Sequence, residues 1–436
     1  MSSSVRRPAW ITGVGVVSPI GIGAASFWEA SLAGTTGTRR LDYPWLEGRN
    51  FRTRIGAPVT GLDMARWGYS PRDLKLLDPV SQFALAATAM ALEDAGFATR
   101  PAEDGSGRLS VEGCDPDRVA VVLGTGMGGL RSLAASHAHY LERGGSEGAG
   151  WLRFGLPMCI VNAPAAQVAL RHGFHGECKA VSTACASGTM AIGDACRLVW
   201  SGDADVVVAG GTEALLSDHD GLGLVGFDVL RCMSTWDEDP ARASRPFHAR
   251  RDGFVLGEGA GIVVVESAAH AAARGARPVA EVAAYEAACD GWSMLQPEPS
   301  GRQIERVILR ALESAGHVPR DVDYVNAHGT ATPAGDRIES AALRRAFGSA
   351  ADDVRVSSTK SMTGHAISAS GAFEAIACSL ALRNGALPPT ANLDEVDPEC
   401  DLNHVRGAAE RGPVRVALST SYAFGGHDAV LVLRAG

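Results

Sequence analysis

The chain has 436 residues, a net charge of −9 and 46% hydrophobic residues. Its negative charge argues against a nucleic-acid-binding protein, and it contains no run of about twenty apolar residues that would span a membrane. Nine cysteines without a CxxC pair predict neither a disulfide framework nor a zinc site, so we expect reduced thiols in a cytoplasmic protein.

Short apolar strands alternate with helices and glycine-rich joints along the whole chain. The predicted strands lie, in chain order, at 10–12, 119–123, 205–209, 260–266, 279–285, 322–326, 354–358, 414–419 and 429–433. The predicted helices lie at 79–95, 302–315, 340–347 and 371–382. This alternation indicates an α/β protein, with 260–266 and 279–285 as candidate neighbouring strands. The pattern runs through twice, which divides the chain into residues 1–266 and 267–436.

Two glycine-rich loops invite comparison with nucleotide-binding loops. Neither the loop at 13–15 nor the loop at 124–129 has the full GxGxxG spacing with a fitting acidic residue. We therefore predict that these glycines allow tight turns and close packing. The segments 100–115 and 143–150 are predicted to be surface insertions.

Cys185 lies where an extended, β-branched segment (181–183) meets a helical pattern of small residues. A thiol at the start of a helix faces free backbone N–H groups and the positive end of the helix dipole. That location would lower the pKa of the thiol and make it a nucleophile. A buried structural cysteine is the alternative interpretation of the same pattern.

Two histidines each follow a predicted strand, His328 after 322–326 and His365 after 354–358. Catalytic groups of α/β proteins cluster at the ends of strands. Lys360 and Glu374 flank His365 in sequence, so we predict a buried ion pair that orients this imidazole, with an ordinary surface pair as the alternative.

One cysteine and two histidines on such joints suit carbon–carbon bond formation on a thioester. A hydrolase would instead need one histidine oriented by a carboxylate, together with a bound water.

These segments resemble the β-ketoacyl-ACP synthase family, in particular the condensing enzymes of type II fatty acid and polyketide synthesis (the KAS II and ketosynthase-α group). The matching motifs are Thr-Ala-Cys-Ala-Ser-Gly around Cys185, Asn-Ala-His-Gly-Thr-Ala-Thr-Pro-Ala-Gly-Asp around His328, and Ser-Thr-Lys-Ser-Met-Thr-Gly-His ending at His365. The resemblance implies a thiolase-like α/β fold of two similar halves, each with a five-stranded mixed sheet, layered α-β-α-β-α. It also implies a dimer, either of two identical chains or with a ketosynthase-like chain-length-factor subunit.

The resemblance further implies a decarboxylative Claisen condensation. Cys185 would accept the acyl chain, and His328 and His365 would serve decarboxylation and polarise the carbonyl of the malonyl thioester. Lys360 and Glu374 would form a supporting pair near His365. Because the imidazoles must be neutral, activity should fall below about pH 6.

The carrier and its arm are also implied by the resemblance. Thr330 and Thr332 would hydrogen-bond the pantetheine amides, and the backbone N–H groups of Cys185 and Phe424 would form an oxyanion hole. No metal or resident cofactor is implied, since phosphopantetheine arrives on the acyl carrier protein. An acidic carrier needs a basic dock. The candidate docking residues are Arg66, Arg72, Lys75 and Arg231.

The chain departs from the family in the loop that gates the site. The family pattern for this loop is Asn-Ser-Phe-Gly-Phe-Gly-Gly-x-Asn. This chain has Ala423 where the pattern has a glycine, and Asp428 where the pattern has its last asparagine. Segments 214–224 and 289–301 also differ. These departures favour a type II polyketide or specialised fatty-acyl pathway over housekeeping fatty acid elongation. A thiolase would need a second cysteine in the last loop, and a chain-length-factor subunit would lack the nucleophile.

Overall fold

The computed structural model describes residues 7–105, 107–143, 154–217 and 219–436. The strands that build its main sheet are β1 (Ala9–Ser18), β2 (Val119–Gly124), β3 (Cys178–Val181), β4 (Val206–Glu213), β5 (Gly259–Ser267), β6 (Ala280–Cys289), β7 (Tyr324–Asn326), β8 (Arg355–Ser357), β9 (Val416–Ala423) and β10 (His427–Arg434). The longer helices are α1 (Ala24–Leu32), α2 (Pro79–Asp94), α3 (Leu130–Arg143), α4 (Ala163–His172), α5 (Ser187–Ser201), α6 (Leu222–Leu230), α7 (Arg302–Ala315), α8 (Pro333–Phe347) and α9 (Ser368–Asn384).

The main sheet contains the same strand order twice. The first half reads β3-β2-β4-β5-β1 and the second reads β8-β7-β9-β10-β6, so each half has the order third, second, fourth, fifth, first. In each half the second strand runs parallel to the third and fourth, and the fifth runs antiparallel to the fourth and first. The predicted duplication of a five-stranded mixed sheet is confirmed.

The two halves join through their first strands. Residues 9–11 of β1 pair antiparallel with 280–282 of β6, while β1 also pairs with β5 from Ala9 opposite Ser267 to Val17 opposite Ala260. The prediction that 260–266 and 279–285 are neighbours is therefore wrong, because β1 lies between them. A strand with a mostly buried, near-continuous apolar sequence can accept partners on both edges.

Helices form three layers around the sheets, as predicted. The central layer consists of α5 and α9, which pack on each other and contact strands of both halves. Helices α2 and α4 cover the outer face of the first half, and α7 and α8 cover the second. Both central helices are rich in small residues, and α9 is buried along almost its whole length. Small side chains let these helices approach the sheets closely.

The glycine-rich loops serve packing. A Cβ on Gly15 would overlap the backbone of Ala87 in α2, and one on Gly124 would overlap the backbone of Ser187 at the start of α5. These positions hold glycine because two backbones meet there.

The two predicted insertions have different outcomes. Segment 100–115 contains a small ribbon, Thr99–Pro101 paired with Leu109–Val111. Residues 144–150 of the other predicted insertion lie outside the described residues.

Candidate active site

The strand ends of both halves open into one cavity of about 350 Å³. Cys185, His328 and His365 all line it, although they come from three different joints of the two halves. Its remaining wall includes the apolar side chains Phe254 and Ile367. The structure thus brings together the three residues that the sequence singled out.

Cys185 lies in a single helical turn, 184–186, between β3 and α5. Ala184, the residue before it, has a left-handed backbone conformation with φ 49°, which turns the thiol out of the strand direction. The Sγ atom lies 3.0 Å from Nε2 of His365. A strand–helix joint was predicted here, and the structure has one.

The predicted direction of the thiol pKa is wrong. Burial raises the pKa of Cys185 to about 12, and nearby Glu213 adds to the rise. Lys360 and the backbone N–H groups of Phe424 and Cys185 lower the same pKa by smaller amounts. Desolvation of a fully enclosed sulfur outweighs the start of the helix, so the resting group is a neutral thiol.

His365 is held from both ends of its ring. Its Nδ1 atom lies 3.1 Å from the hydroxyl of Ser370, which also accepts the backbone N–H of Ala366 at 2.9 Å. The ring is edge-on to Phe254, with centroids 5.2 Å apart. Burial and Lys360 lower the pKa of His365 well below its ordinary value, so the imidazole stays neutral at physiological pH.

The Lys360–Glu374 pair is buried, as predicted, but it supports the other histidine. Lys360 and Glu374 are each 1% exposed and form a direct ion pair. The Lys360 ammonium donates to Nδ1 of His328 at 3.4 Å. An ammonium has no acceptor, so Nδ1 must accept and the proton of the neutral His328 ring must sit on Nε2.

The electrostatic surroundings also keep His328 neutral. Burial, the Lys360 charge and nearby His365 lower the pKa of His328 well below its ordinary value. The rings of His328 and His365 are perpendicular, with centroids 5.5 Å apart. Since both imidazoles titrate below the free value, the predicted loss of activity near pH 6 moves to lower pH.

Sequence reasoning missed the residues that position the histidine loops. Glu339 of α8 accepts the backbone N–H groups of His328 at 2.8 Å and Gly329 at 2.7 Å. Ser370 fills the corresponding place for His365. The signal for Glu339 was a carboxylate nearly two turns into the helix that follows the histidine loop. Ser370 gave no comparable signal, because a serine early in a helix is common.

The gate region places Ala423 before the turn rather than within it. Phe424 is half-buried, lines the cavity and directs its backbone N–H toward the Cys185 sulfur. Ala423 ends β9 in an extended conformation, and the left-handed residues of the turn are Gly425 (φ 83°) and Gly426 (φ 77°). The alanine therefore meets no backbone strain here, since the glycines after Phe424 make the turn.

Thr330 and Thr332 line the cavity, and their hydroxyl oxygens are 3.0 Å apart. Arg231 is exposed at the cavity wall, at the end of α6. The other candidate docking residues are exposed on 64–75 and do not line the cavity; they are Arg66, Arg72 and Lys75.

Segment 289–301 reaches the cavity through Ser293, Leu295 and Gln296. All nine cysteines have free thiols. Among the described residues, no cluster of His, Cys, Asp and Glu has the arrangement of a metal site. In the same part of the chain, no helix combines the length and apolar character needed to cross a bilayer.

Comparison with known proteins matches both halves of the chain to one family. The model for the β-ketoacyl synthase N-terminal domain matches residues 6–271, and that for the β-ketoacyl synthase C-terminal domain matches residues 279–394. The chain is 37% identical to 3-oxoacyl-[acyl-carrier-protein] synthase 2 of Synechocystis sp. over 434 residues, which cover 100% of this chain and 99% of that protein.

Solved structures of ketosynthases are also similar to this chain over nearly its whole length. The ishigamide ketosynthase/chain length factor superposes with a TM-score of 0.86 at 32% identity and covers 99% of this chain and 100% of its own. A type II PKS acyl-carrier protein in complex with its ketosynthase bound to the hexaketide gives a TM-score of 0.85 at 32% identity, with the same coverage.

Proposed function

Because the chain belongs to the β-ketoacyl synthase family and is a condensing acyltransferase, we propose that it extends acyl chains in type II polyketide or specialised fatty-acyl biosynthesis. It would join an acyl group on Cys185 to a malonyl unit on acyl carrier protein, with loss of carbon dioxide. The observation that carries this proposal is the 3.0 Å contact between Cys185 Sγ and His365 Nε2, with His328 held alongside by Lys360.

In the first half-reaction the Cys185 sulfur attacks the thioester carbonyl of the acyl carrier. The raised pKa of the thiol means that its proton must leave as the new bond forms. His365 Nε2 is the adjacent base, and the proton ends on the departing pantetheine sulfur. The N–H groups of Cys185 and Phe424 already point at the sulfur and would stabilise the negative carbonyl oxygen of the intermediate.

In the second half-reaction a malonyl carrier enters the same cavity. The two imidazoles donate to its thioester carbonyl while the carboxylate leaves as carbon dioxide, and the resulting enolate attacks the acyl carbonyl carbon on Cys185. The bond from that carbon to the Cys185 sulfur breaks, the β-ketoacyl carrier leaves, and the released thiolate takes up a proton from solvent to restore the thiol. Lys360 supports this role because it leaves the Nε2 proton of His328 available for donation. Ser370 can donate to or accept from Nδ1 of His365, so its hydroxyl suits both half-reactions.

Thr330, Thr332 and Arg231 serve the incoming carrier in this proposal. The two threonines would bind the pantetheine amides within the cavity. Arg231 would meet the acidic carrier at the cavity, and the exposed cations of 64–75 would extend that dock. The solved relative that contains a carrier protein supports a carrier partner.

We also propose a dimer, which would form at a free edge of the sheet. Strand β3 ends the first half's sheet and pairs only with β2 among the described strands. An unpaired edge strand is a template for a second chain. We propose pairing across β3 with a second copy or with a chain-length-factor-like subunit, as in the ketosynthase/chain length factor relative.

Housekeeping fatty acid elongation is a second candidate pathway, because the curated relatives are 3-oxoacyl-[acyl-carrier-protein] synthases 2. Housekeeping elongation is favoured by those names, and the specialised pathway by the altered gate. Product mass from malonyl carrier and acyl carriers of different length, with and without a partner subunit, separates the two.

The proposal is tested by mass spectrometry of the chain after incubation with acyl carrier protein. We expect one acyl adduct on Cys185 that disappears in Cys185→Ala. Cys196→Ala is the matched control, since this buried cysteine lies in the core and away from the cavity. An adduct on another thiol, or none with any acyl group, would contradict the proposal and favour a non-catalytic chain-length-factor role.

A further inference from the structure

One carboxylate oxygen of Asp428, Oδ2, is buried without a hydrogen-bond partner among the described residues. Asp428 is 3% exposed and lines the cavity. Tyr422 lies directly opposite Asp428 on β9, so the two side chains share one face of the sheet. Tyr422 also lines the cavity, and its buried hydroxyl has the Thr420 side chain beside it but no closer hydrogen-bond partner among the described residues.

The position of this pair within the cavity points to the second substrate. The other wall is apolar: Cys185 packs in a cluster with Phe254, Leu256 and Ile367, which suits an acyl chain. Tyr422 instead packs against His328, with ring centroids 5.8 Å apart. The polar pair therefore lies on the histidine side, where the malonyl unit would be decarboxylated.

The surroundings of Asp428 make it a hydrogen-bond donor. Burial and the neighbouring carboxylate of Asp290 raise the pKa of Asp428 to about 7, so much of it carries a proton at neutral pH. Asp290 itself accepts the N–H groups of Trp292 and Glu298 at 3.0 Å each. The other titratable groups around the pair are Glu339 and His328, both reached through Tyr422.

The proposed reaction brings two carbonyl groups and one carboxylate into the cavity, and the site residues described above supply hydrogen-bond donors only for the carbonyls. The acyl carbonyl has the N–H groups of Cys185 and Phe424, and the malonyl thioester carbonyl has the two imidazoles. The malonyl carboxylate has none, while protonated Asp428 has no acceptor among the described residues and the Tyr422 hydroxyl has only the Thr420 side chain beside it. A buried donor without an acceptor is costly unless the ligand supplies one.

We propose that Asp428 and Tyr422 bind and orient the carboxylate of the malonyl unit before it is lost. Hydrogen bonds from two neutral donors hold the carboxylate next to His328. The nearby Asp290 carboxylate favours the step in which the carboxylate loses its charge: the C–C bond breaks, its electron pair passes into the enolate, and neutral carbon dioxide leaves. This inference rests on the proposed condensation and adds to it the residues that recognise the extender unit.

The test is the KM for malonyl carrier as a function of pH, with the KM for acyl carrier measured in parallel. In the unchanged enzyme the malonyl KM should rise about tenfold from about pH 6 to about pH 9, since ionised Asp428 repels the carboxylate. Asp428→Asn keeps a neutral donor of the same size, so its malonyl KM should lose this rise. Tyr422→Phe should raise the malonyl KM at every pH, and the acyl KM should stay constant in both variants.

Asp252→Asn is the matched control. This carboxylate also lines the cavity, but it already accepts hydrogen bonds from Ser234 and Thr235. The alkaline rise of the malonyl KM should persist in this variant. Adduct formation on Cys185 shows that each variant is folded.

Two results would overturn the inference. One is an unchanged alkaline rise in Asp428→Asn, and the other is an equal change of malonyl and acyl KM in the variants. If the unchanged enzyme releases no carbon dioxide from malonyl carrier at any pH, the proposed function fails as well. Release of carbon dioxide without an effect of Asp428→Asn contradicts only the extender site.

Discussion

The two halves of the molecule place different chemistry at equivalent points of one topology. After the third strand, the first half carries Cys185 and the second carries His365. Each of these joints contains a non-glycine residue in the left-handed region, Ala184 (φ 49°) and Ile367 (φ 46°). The duplicated scaffold thus aims a thiol from one side and an imidazole from the other into the same cavity, and the proposed reaction uses them as nucleophile and acid–base group.

The loop after the second strand is held by a buried carboxylate in both halves, but the two loops differ in the side chains they carry. A buried carboxylate accepts two successive backbone N–H groups in each loop: Glu213 holds Gly126 and Met127, and Glu339 holds the loop of His328. The first-half loop presents no side chain for chemistry, whereas the second presents an imidazole. The carboxylate-held loop is therefore common to both halves, and the proposed function assigns decarboxylation to the second.

The largest effect is expected when His328, in the loop after the second strand of the second half, is replaced. His328→Ala should lower carbon dioxide release from malonyl carrier by about 10²-fold or more, because one carbonyl donor is lost. Acylation of Cys185 should change little, since His365 is the residue in contact with the sulfur. Radiolabelled carbon dioxide release and mass spectrometry of the adduct measure the two rates.

The matched control for His328→Ala is Met127→Ala in the equivalent loop of the first half. Its side chain is 50% exposed, so both rates should stay within about twofold. Equal loss of acylation and decarboxylation in His328→Ala would show that the halves do not divide the work.

The next effect concerns the buried ion pair of the second half. Lys360→Met leaves Glu374 buried without its ion-pair partner, so the free energy of unfolding should fall by about 3–5 kcal/mol. The double variant Lys360→Met/Glu374→Leu should regain much of that stability. Decarboxylation should remain low in both variants, since His328 loses the donor at Nδ1. Urea unfolding and carbon dioxide release are the measurements, and full activity of a stable double variant would show a purely structural pair.

A smaller effect tests the electrostatics of the first half. Because burial raises the pKa of Cys185 to about 12, its alkylation by iodoacetamide should quicken with pH and show no plateau below about pH 10. Peptide mass spectrometry follows Cys185 against exposed Cys178 and Cys289 in the same sample. A plateau near neutral pH would mean that the start of α5 outweighs burial.

The smallest effect is expected at Arg231, which lies at the cavity wall and takes no part in the proposed bond-making steps. Arg231→Glu should raise the KM for acyl carrier about threefold to tenfold at low salt, with kcat nearly constant, because a charge at an interface mainly steers association. Arg197→Glu, on exposed α5 surface, is the control. A change in kcat without a change in KM would remove Arg231 from the dock.

The sequence predicted what is local. Cys185 at a strand–helix joint and His328 after a strand follow from short patterns of residues, and the resemblance to condensing enzymes supplied the fold. The contact of Lys360 with His328 rather than His365 could not be found in this way, because parallel pairing of β7 and β8 brings Lys360 to a histidine 32 residues away. The thiol pKa also depends on burial, which only the assembled cavity determines.

The central claim is that the first half supplies the nucleophile and the second half decarboxylates without it. Carbon dioxide release from malonyl carrier by Cys185→Gln tests this most directly. The variant should form no acyl adduct and no condensation product, yet release carbon dioxide at a rate comparable to, or above, that of the unchanged enzyme. Loss of carbon dioxide release together with condensation would contradict the division between the halves.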